Sequence, residues 1–111
     1  MSRQWNIRTL LLLIVCGVSA SCAGRDPPSI SSGEADRVIP AIKTSARTGD
    51  KRSIPYLVAN LESDDSAVRM YAIDGLRRLT GQDLGYVYYA DDDARRPAVE
   101  RWKTWLSRHP Q

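Results

Sequence analysis

From residue 34 onward the apolar positions recur with helical spacing. Val38, Ile42 and Ala46 fall on one stripe; Ile54, Leu57, Val58 and Leu61 repeat at i, i+3, i+4 and i+7; Val68, Ala72, Leu76 and Leu79 follow; Val99, Trp102 and Leu106 close the series. Such spacing marks one apolar face of a helix. The pattern predicts four helices, near residues 36–48, 52–62, 66–80 and 93–107. The polar punctuation between them agrees. Gly49 and Asp50 divide the first two, Asp64 and Asp65 precede the third as an N-cap with acids at the positive end of the dipole, and Gly81 stands where a C-terminal glycine belongs. Pro40 and Pro55 are expected in first turns, where a missing N–H does little harm.

The pattern before residue 34 is of another kind. Arg3 and Arg8 precede an apolar run from Leu10 to Ala20, no acid occurs before Asp26, and small residues lead up to Cys22. These are the three parts of a secretory signal. The run is too short for a permanent span, because a bilayer core needs roughly 20 apolar residues in a helix. The segment Val18-Ser19-Ala20-Ser21-Cys22 resembles the lipobox of bacterial lipoproteins. That resemblance implies that Cys22 is diacylated and becomes the new N-terminus, so that 1–21 is a signal peptide and the chain is held to the membrane through an N-terminal lipid. Ala23 follows the cysteine where lipoproteins kept at the inner membrane often carry Asp, which favours the periplasmic face of the outer membrane in a Gram-negative host. The alternative is ordinary cleavage after Ala20 or Ala23 and a soluble, secreted or periplasmic product.

Cysteine usage fits the lipid. Cys16 leaves with the apolar run, so the exported chain keeps one thiol and cannot close an internal disulfide. A thioether to diacylglycerol would consume that thiol in an oxidising compartment. Residues 22–33, with Pro27, Pro28 and several serines, have too few apolar side chains to offset the entropy of ordering them and read as a flexible tether. The folded part is then 34–111.

Processing alters the charge. The whole chain carries 16 basic and 13 acidic side chains, and loss of Arg3 and Arg8 brings the balance from +3 to +1. Arg77-Arg78 and Arg95-Arg96 are offset by Asp64-Asp65 and by Asp91-Asp92-Asp93, so the basic stripe of a phosphate-binding surface is missing and nucleic acid is not the expected partner.

An echo 15 residues apart, Val38-Ile39-Pro40-Ala41-Ile42 and Ser53-Ile54-Pro55-Tyr56-Leu57, points to helical repeats. The stretch Ile54-Pro55-Tyr56-Leu57-Val58-Ala59-Asn60-Leu61, then Asp64-Asp65, Ala67-Val68-Arg69 and Ala72-Ile73-Asp74-Gly75-Leu76, resembles a HEAT repeat of the bacterial, phycobilisome-lyase-like type. Residues 53–80 make about one full repeat and 36–48 half of a degenerate one. The fold this implies is all-α, with HEAT-like antiparallel helical hairpins and about four helices forming a short right-handed α-solenoid or a compact bundle.

Several residues stand out physically. Arg69 places a cation near a helix N-terminus, where it is expected to pair with Asp64, Asp65 or a neighbouring carbonyl, ligand contact being the alternative. Gly75 in mid-helix costs about 1 kcal/mol relative to Ala, which close helix approach would offset. Trp102 and Trp105 are expected either to cap the core or to form an aromatic ledge with Tyr86, Tyr88 and Tyr89, the alternative for Tyr86 and Tyr88 being to fold their loop back over the helices. Asp91-Asp92-Asp93 lacks the ligand alternation of a calcium loop and reads as helix capping. His109, the only imidazole, is expected to be frayed and solvated near the terminus. Without a positioned base, a zinc ligand set or a glycine-rich phosphate loop, no catalytic residue, metal or cofactor is assigned.

The function expected on these grounds is a membrane-anchored, exported, non-catalytic protein-interaction or scaffolding module. Its small size suggests a protein partner or self-association. The alternatives are an accessory or small member of a lyase-like enzyme system, suggested by the repeat's relatives, and a structural spacer of the envelope.

Overall fold

The computed structural model describes residue 30 and residues 34–111. The expected signal peptide 1–21, Cys16, Cys22 and the tether other than Ile30 lie outside the described residues. Four α-helices follow in order: α1, Ala35–Thr48; α2, Ile54–Asn60, entered through a 3-10 turn at Lys51–Ser53; α3, Ser66–Thr80; and α4, Asp92–Arg108. All regular structure among the described residues is helical.

Helix ends are set by side chains that satisfy otherwise orphaned backbone groups. The Asp65 carboxylate accepts from the N–H groups of Ala67 and Val68, and that of Asp91 accepts from Ala94. α1 and α3 end on Gly49 and Gly81 in the left-handed region, at φ 70° and 76°, where a side chain would be strained. The second helix is shorter than its apolar pattern suggests. Asp50 accepts from the Arg52 N–H and the Ser53 hydroxyl donates to the Asp50 carbonyl at 2.6 Å, so 51–53 tighten into a 3-10 turn before Pro55 opens α2.

Pro40 corrects the expectation for first turns. It lies inside α1, because the helix already starts at Ala35 with the Glu34 carbonyl accepting from Arg37 and Val38. Asp36 and Pro40 are both exposed, so the carbonyl that loses its partner faces water. Pro97 sits likewise, exposed and inside α4.

α3 is the centre of a compact bundle: α1 and α2 pack on it, and α4 lies against α2. Val38 and Ile42 of α1, Leu57 and Val58 of α2, Ala72, Ile73 and Leu76 of α3, and Val99 and Trp102 of α4 form one buried cluster. Burying side chains of this size contributes about 1.5–3 kcal/mol each. Gly75 is where three helices meet. A Cβ there would lie 3.2 Å from Leu57 Cδ1 and 3.5 Å from Ile42 Cγ2, so the missing side chain allows the approach.

The folded part extends beyond the expected boundary at 34. Ile30 packs against the cluster, and its carbonyl accepts from the Asn60 side-chain amide at 3.0 Å while that amide also donates to the Tyr56 carbonyl. Part of the expected tether is therefore attached to α2.

Candidate functional site

Arg69 is 9% exposed and clasps the turn before its own helix. Its Nη1 donates to the Ser63 and Asp64 carbonyls at 2.7 and 2.9 Å, and its Nε donates to the Tyr88 carbonyl at 2.9 Å. Of the partners expected from sequence, the structure shows the carbonyls and not the carboxylates. Asp65 is committed to the cap, and Asp64 meets Arg69 only through its backbone. Charge-assisted bonds of this kind are the strong ones, and these tie the 63–64 turn, α3 and the 81–91 connection together.

That connection is shaped by three consecutive residues. The Asp83 carboxylate accepts from the Gly85 N–H at 2.9 Å, which holds the carboxyl below the usual range. Leu84 and Gly85 both take positive φ, at 52° and 76°. The left-handed conformation is costly for leucine, and two donors from α4 brace it: the Trp102 indole N–H to the Asp83 carbonyl at 3.1 Å, and Arg101 Nε to the Leu84 carbonyl at 2.8 Å.

The aromatic residues divide between core and surface. Trp102 is fully buried. Tyr86, a candidate for the ledge, instead takes the alternative of folding its loop over the helices: it is 2% exposed and donates its hydroxyl to the Leu61 carbonyl, and burial pushes its phenol above the ordinary value. The connection turns inward there because Leu84 and Gly85 reverse the chain. Tyr88 is half-buried, with Tyr89 edge-on to it and 76% exposed.

Trp105 is half-buried and lies edge-on to Trp102 at 5.6 Å between ring centroids. His109 is exposed, as expected, but it is not frayed. Its ring stacks on Trp105 at 4.1 Å, and its Nδ1 lies 2.8 Å from the Trp105 carbonyl, which closes the last turn of α4. Leu84, Pro97, Arg101, Thr104, Trp105 and His109 line an open groove of about 400 Å³.

The charged side chains near these aromatics are largely engaged. Asp92 and Asp93 pair with Arg95 and Arg96 one turn on, Arg78 with Asp74, and Lys103 with both Glu62 and Glu100 at 3.3 Å. The three consecutive aspartates thus cap and pair. No group of three or more His, Cys, Asp or Glu that could hold a metal ion is found among the described residues. No described helix is long and apolar enough to cross a membrane.

Arg95 is the residue that sequence reasoning missed. It is 8% exposed, and its Nε and Nη1 are buried without an acceptor. Its neighbour Arg96 is exposed, and the Arg95-Arg96 pair reads as an ordinary solvated charge run. The signal available was positional, because Arg95 follows Asp91 as Arg69 follows Asp65, four residues after a capping aspartate. The chain matches no family model, no curated protein and no solved structure.

Proposed function

We propose that this chain is an exported, lipid-anchored module that acts as a non-catalytic protein-interaction or scaffolding element of the cell envelope. In this reading Cys22, behind the Leu10–Ala20 run and its two arginines, carries the lipid. At ~0.8 kcal/mol per buried CH₂ a single acyl chain holds weakly and two or more hold firmly. The helices are read as HEAT-like hairpins, forming a short right-handed α-solenoid or a compact bundle. Support comes from α2 packing on α3 across the 61–65 turn, from Arg69 gathering the carbonyls of that turn, and from Gly75 admitting Leu57.

The observation that carries the interaction reading is the Trp105 groove. Capping aspartates and most arginines of α3 and α4 are spent on structure, whereas Trp105, Leu84 and His109 leave an apolar floor open to solvent. Aromatic residues in such a floor supply much of the energy of protein interfaces. The test is a photoreactive side chain at Thr104, which lines the groove and is exposed. Irradiation of intact cells should give a discrete protein adduct that Trp105→Ser abolishes. Absence of any adduct at this position would contradict the reading.

A further inference from the structure

Two arginines of α4 stand at the Trp105 groove without a carboxylate. Arg101 and Arg108 both line it, and neither pairs with an acid among the described residues. They lie two turns apart on one face of the helix, about 10 Å along its axis. The acids nearby are already engaged. Glu100, in the lining, holds Lys103 at 3.3 Å, and Asp83, beside Leu84, pairs with Arg77 at 3.4 Å and accepts from the Gly85 N–H. A cation in a last turn complements the helix dipole, which accounts for the place of Arg108 and leaves its donors open to a ligand.

Arg101 is also held in position. Its Nε donates to the Leu84 carbonyl at 2.8 Å, and its Nη2 lies so close to Gly85 that a Cβ there would be 3.0 Å away. The bond at Nε fixes the guanidinium, while Nη1 and Nη2 have no acceptor among the described residues. A fork of this kind matches a carboxylate in two parallel bonds, and little side-chain freedom is lost when it binds. The apolar floor beside it is recessed. Leu84 and Trp105 are half-buried, whereas Arg101, Thr104, Arg108 and His109 around them are exposed. A projecting aliphatic side chain reaches such a floor, and a flat lipid surface does not.

We propose that the groove takes an acidic segment of a partner polypeptide, with one carboxylate on the Arg101 fork, a second at Arg108, and an aliphatic side chain between them on Leu84 and Trp105. The proposal rests on the protein-interaction reading above and names the chemistry of the partner. Complementary charge of this kind selects the partner and speeds its encounter. A second copy of this chain is a poor occupant, because Asp50, Glu62, Asp74, Asp83, Asp92 and Asp93 are each held by a cation of their own fold.

The test is an NMR titration of the isotope-labelled full chain with acetyl-Glu-Ala-Leu-Ala-Glu-amide, whose three longer side chains share one face of an extended segment. The Trp105 indole N–H and Arg101 Nε–H signals should shift and saturate with a Kd of about 0.1–3 mM. The neutral analogue acetyl-Gln-Ala-Leu-Ala-Gln-amide should bind at least about fivefold more weakly, and the difference should shrink as salt is raised from about 0.05 to 0.5 M. Arg108→Gln, at an exposed position, should keep the wild-type melting temperature, weaken the acidic peptide at least about threefold and leave the neutral one unchanged. An unchanged spectrum, or equal binding of the acidic and neutral peptides, would overturn the proposal. So would sodium acetate binding as tightly as the peptide, phosphatidylglycerol vesicles binding where the peptide does not, or shifts that follow protein concentration alone. These assign the groove to a lone anion, a membrane or a second copy of this chain. A silent or charge-indifferent titration alongside a Thr104 adduct that Trp105→Ser abolishes removes the acidic partner and leaves the interaction reading standing. Loss of both removes both.

Discussion

Trp102 is enclosed on all sides, and its indole N–H holds the Asp83 carbonyl, so Trp102→Ala removes both packing and a clasp on the 81–91 connection. Truncations of this kind cost about 3–5 kcal/mol, and a domain of this size has only about 3–5 kcal/mol in all. The variant should be unfolded at 25 °C by circular dichroism, and a native melt would contradict its place in the core. Tyr86 makes a subtler contribution. Its hydroxyl donates to Leu61, and burial raises its pKa above the ordinary 10.0. A raised folded-state value means that the native state keeps the phenolic proton where the unfolded state has lost it. The contribution is therefore complete below pH 10.0 and falls as the pH rises towards the folded value. Tyr86→Phe should cost about 0.5–1.5 kcal/mol at neutral pH, and the gap between its denaturation midpoint and that of the wild type should narrow as the pH is raised above 10.0. A gap that is constant or widens with pH would show that the phenol is not protected in the fold.

At the scale of elements, the helices were legible in the sequence and the connections only in part. Three of the four helices lie within a residue of their expected limits, because stripes such as Val68, Ala72 and Leu76 are bounded by residues with local chemistry, an aspartate cap at Asp65 and a glycine at Gly81. α2 departs from its stripe because the Asp50 cap acts on a 3-10 turn, a geometry that apolar spacing does not encode. The connection 81–91 takes Tyr86 off the ledge and into the alternative, in which it folds the loop back over the helices. Its course depends on positive φ at Leu84, which no residue preference announces, and on braces from Trp102 and Arg101 that are 19 and 17 residues distant from their acceptors. Cap chemistry makes a prediction of its own. Asp65→Ala leaves the Ala67 and Val68 N–H groups without their acceptor, and it should cost about 1 kcal/mol. A urea midpoint equal to that of the wild type would show that water replaces the carboxylate without loss.

For the molecule as a whole, the expected site residues fall in different places. Asp65, Arg69, Gly75 and Trp102 belong to the architecture, Tyr86 joins them, and Tyr89 and Trp105 remain at the surface. Arg69 was legible because a cation near a helix N-terminus needs a partner, whereas Arg95, beside the exposed Arg96 and following three aspartates, resembles any solvated charge run. Ile30 and its bond to Asn60 leave only residues 23–29 between Cys22 and the folded part. Fully extended chain spans at most about 3.6 Å per residue, so a lipid on Cys22 would hold the bundle within roughly 30 Å of the bilayer. Metabolic labelling with radioactive fatty acid tests that anchoring most directly. The wild-type chain should take up label and sediment with membranes, and Cys22→Ala should be unlabelled and either soluble or retained as the unprocessed precursor. An unlabelled wild-type chain in the soluble fraction would contradict the account.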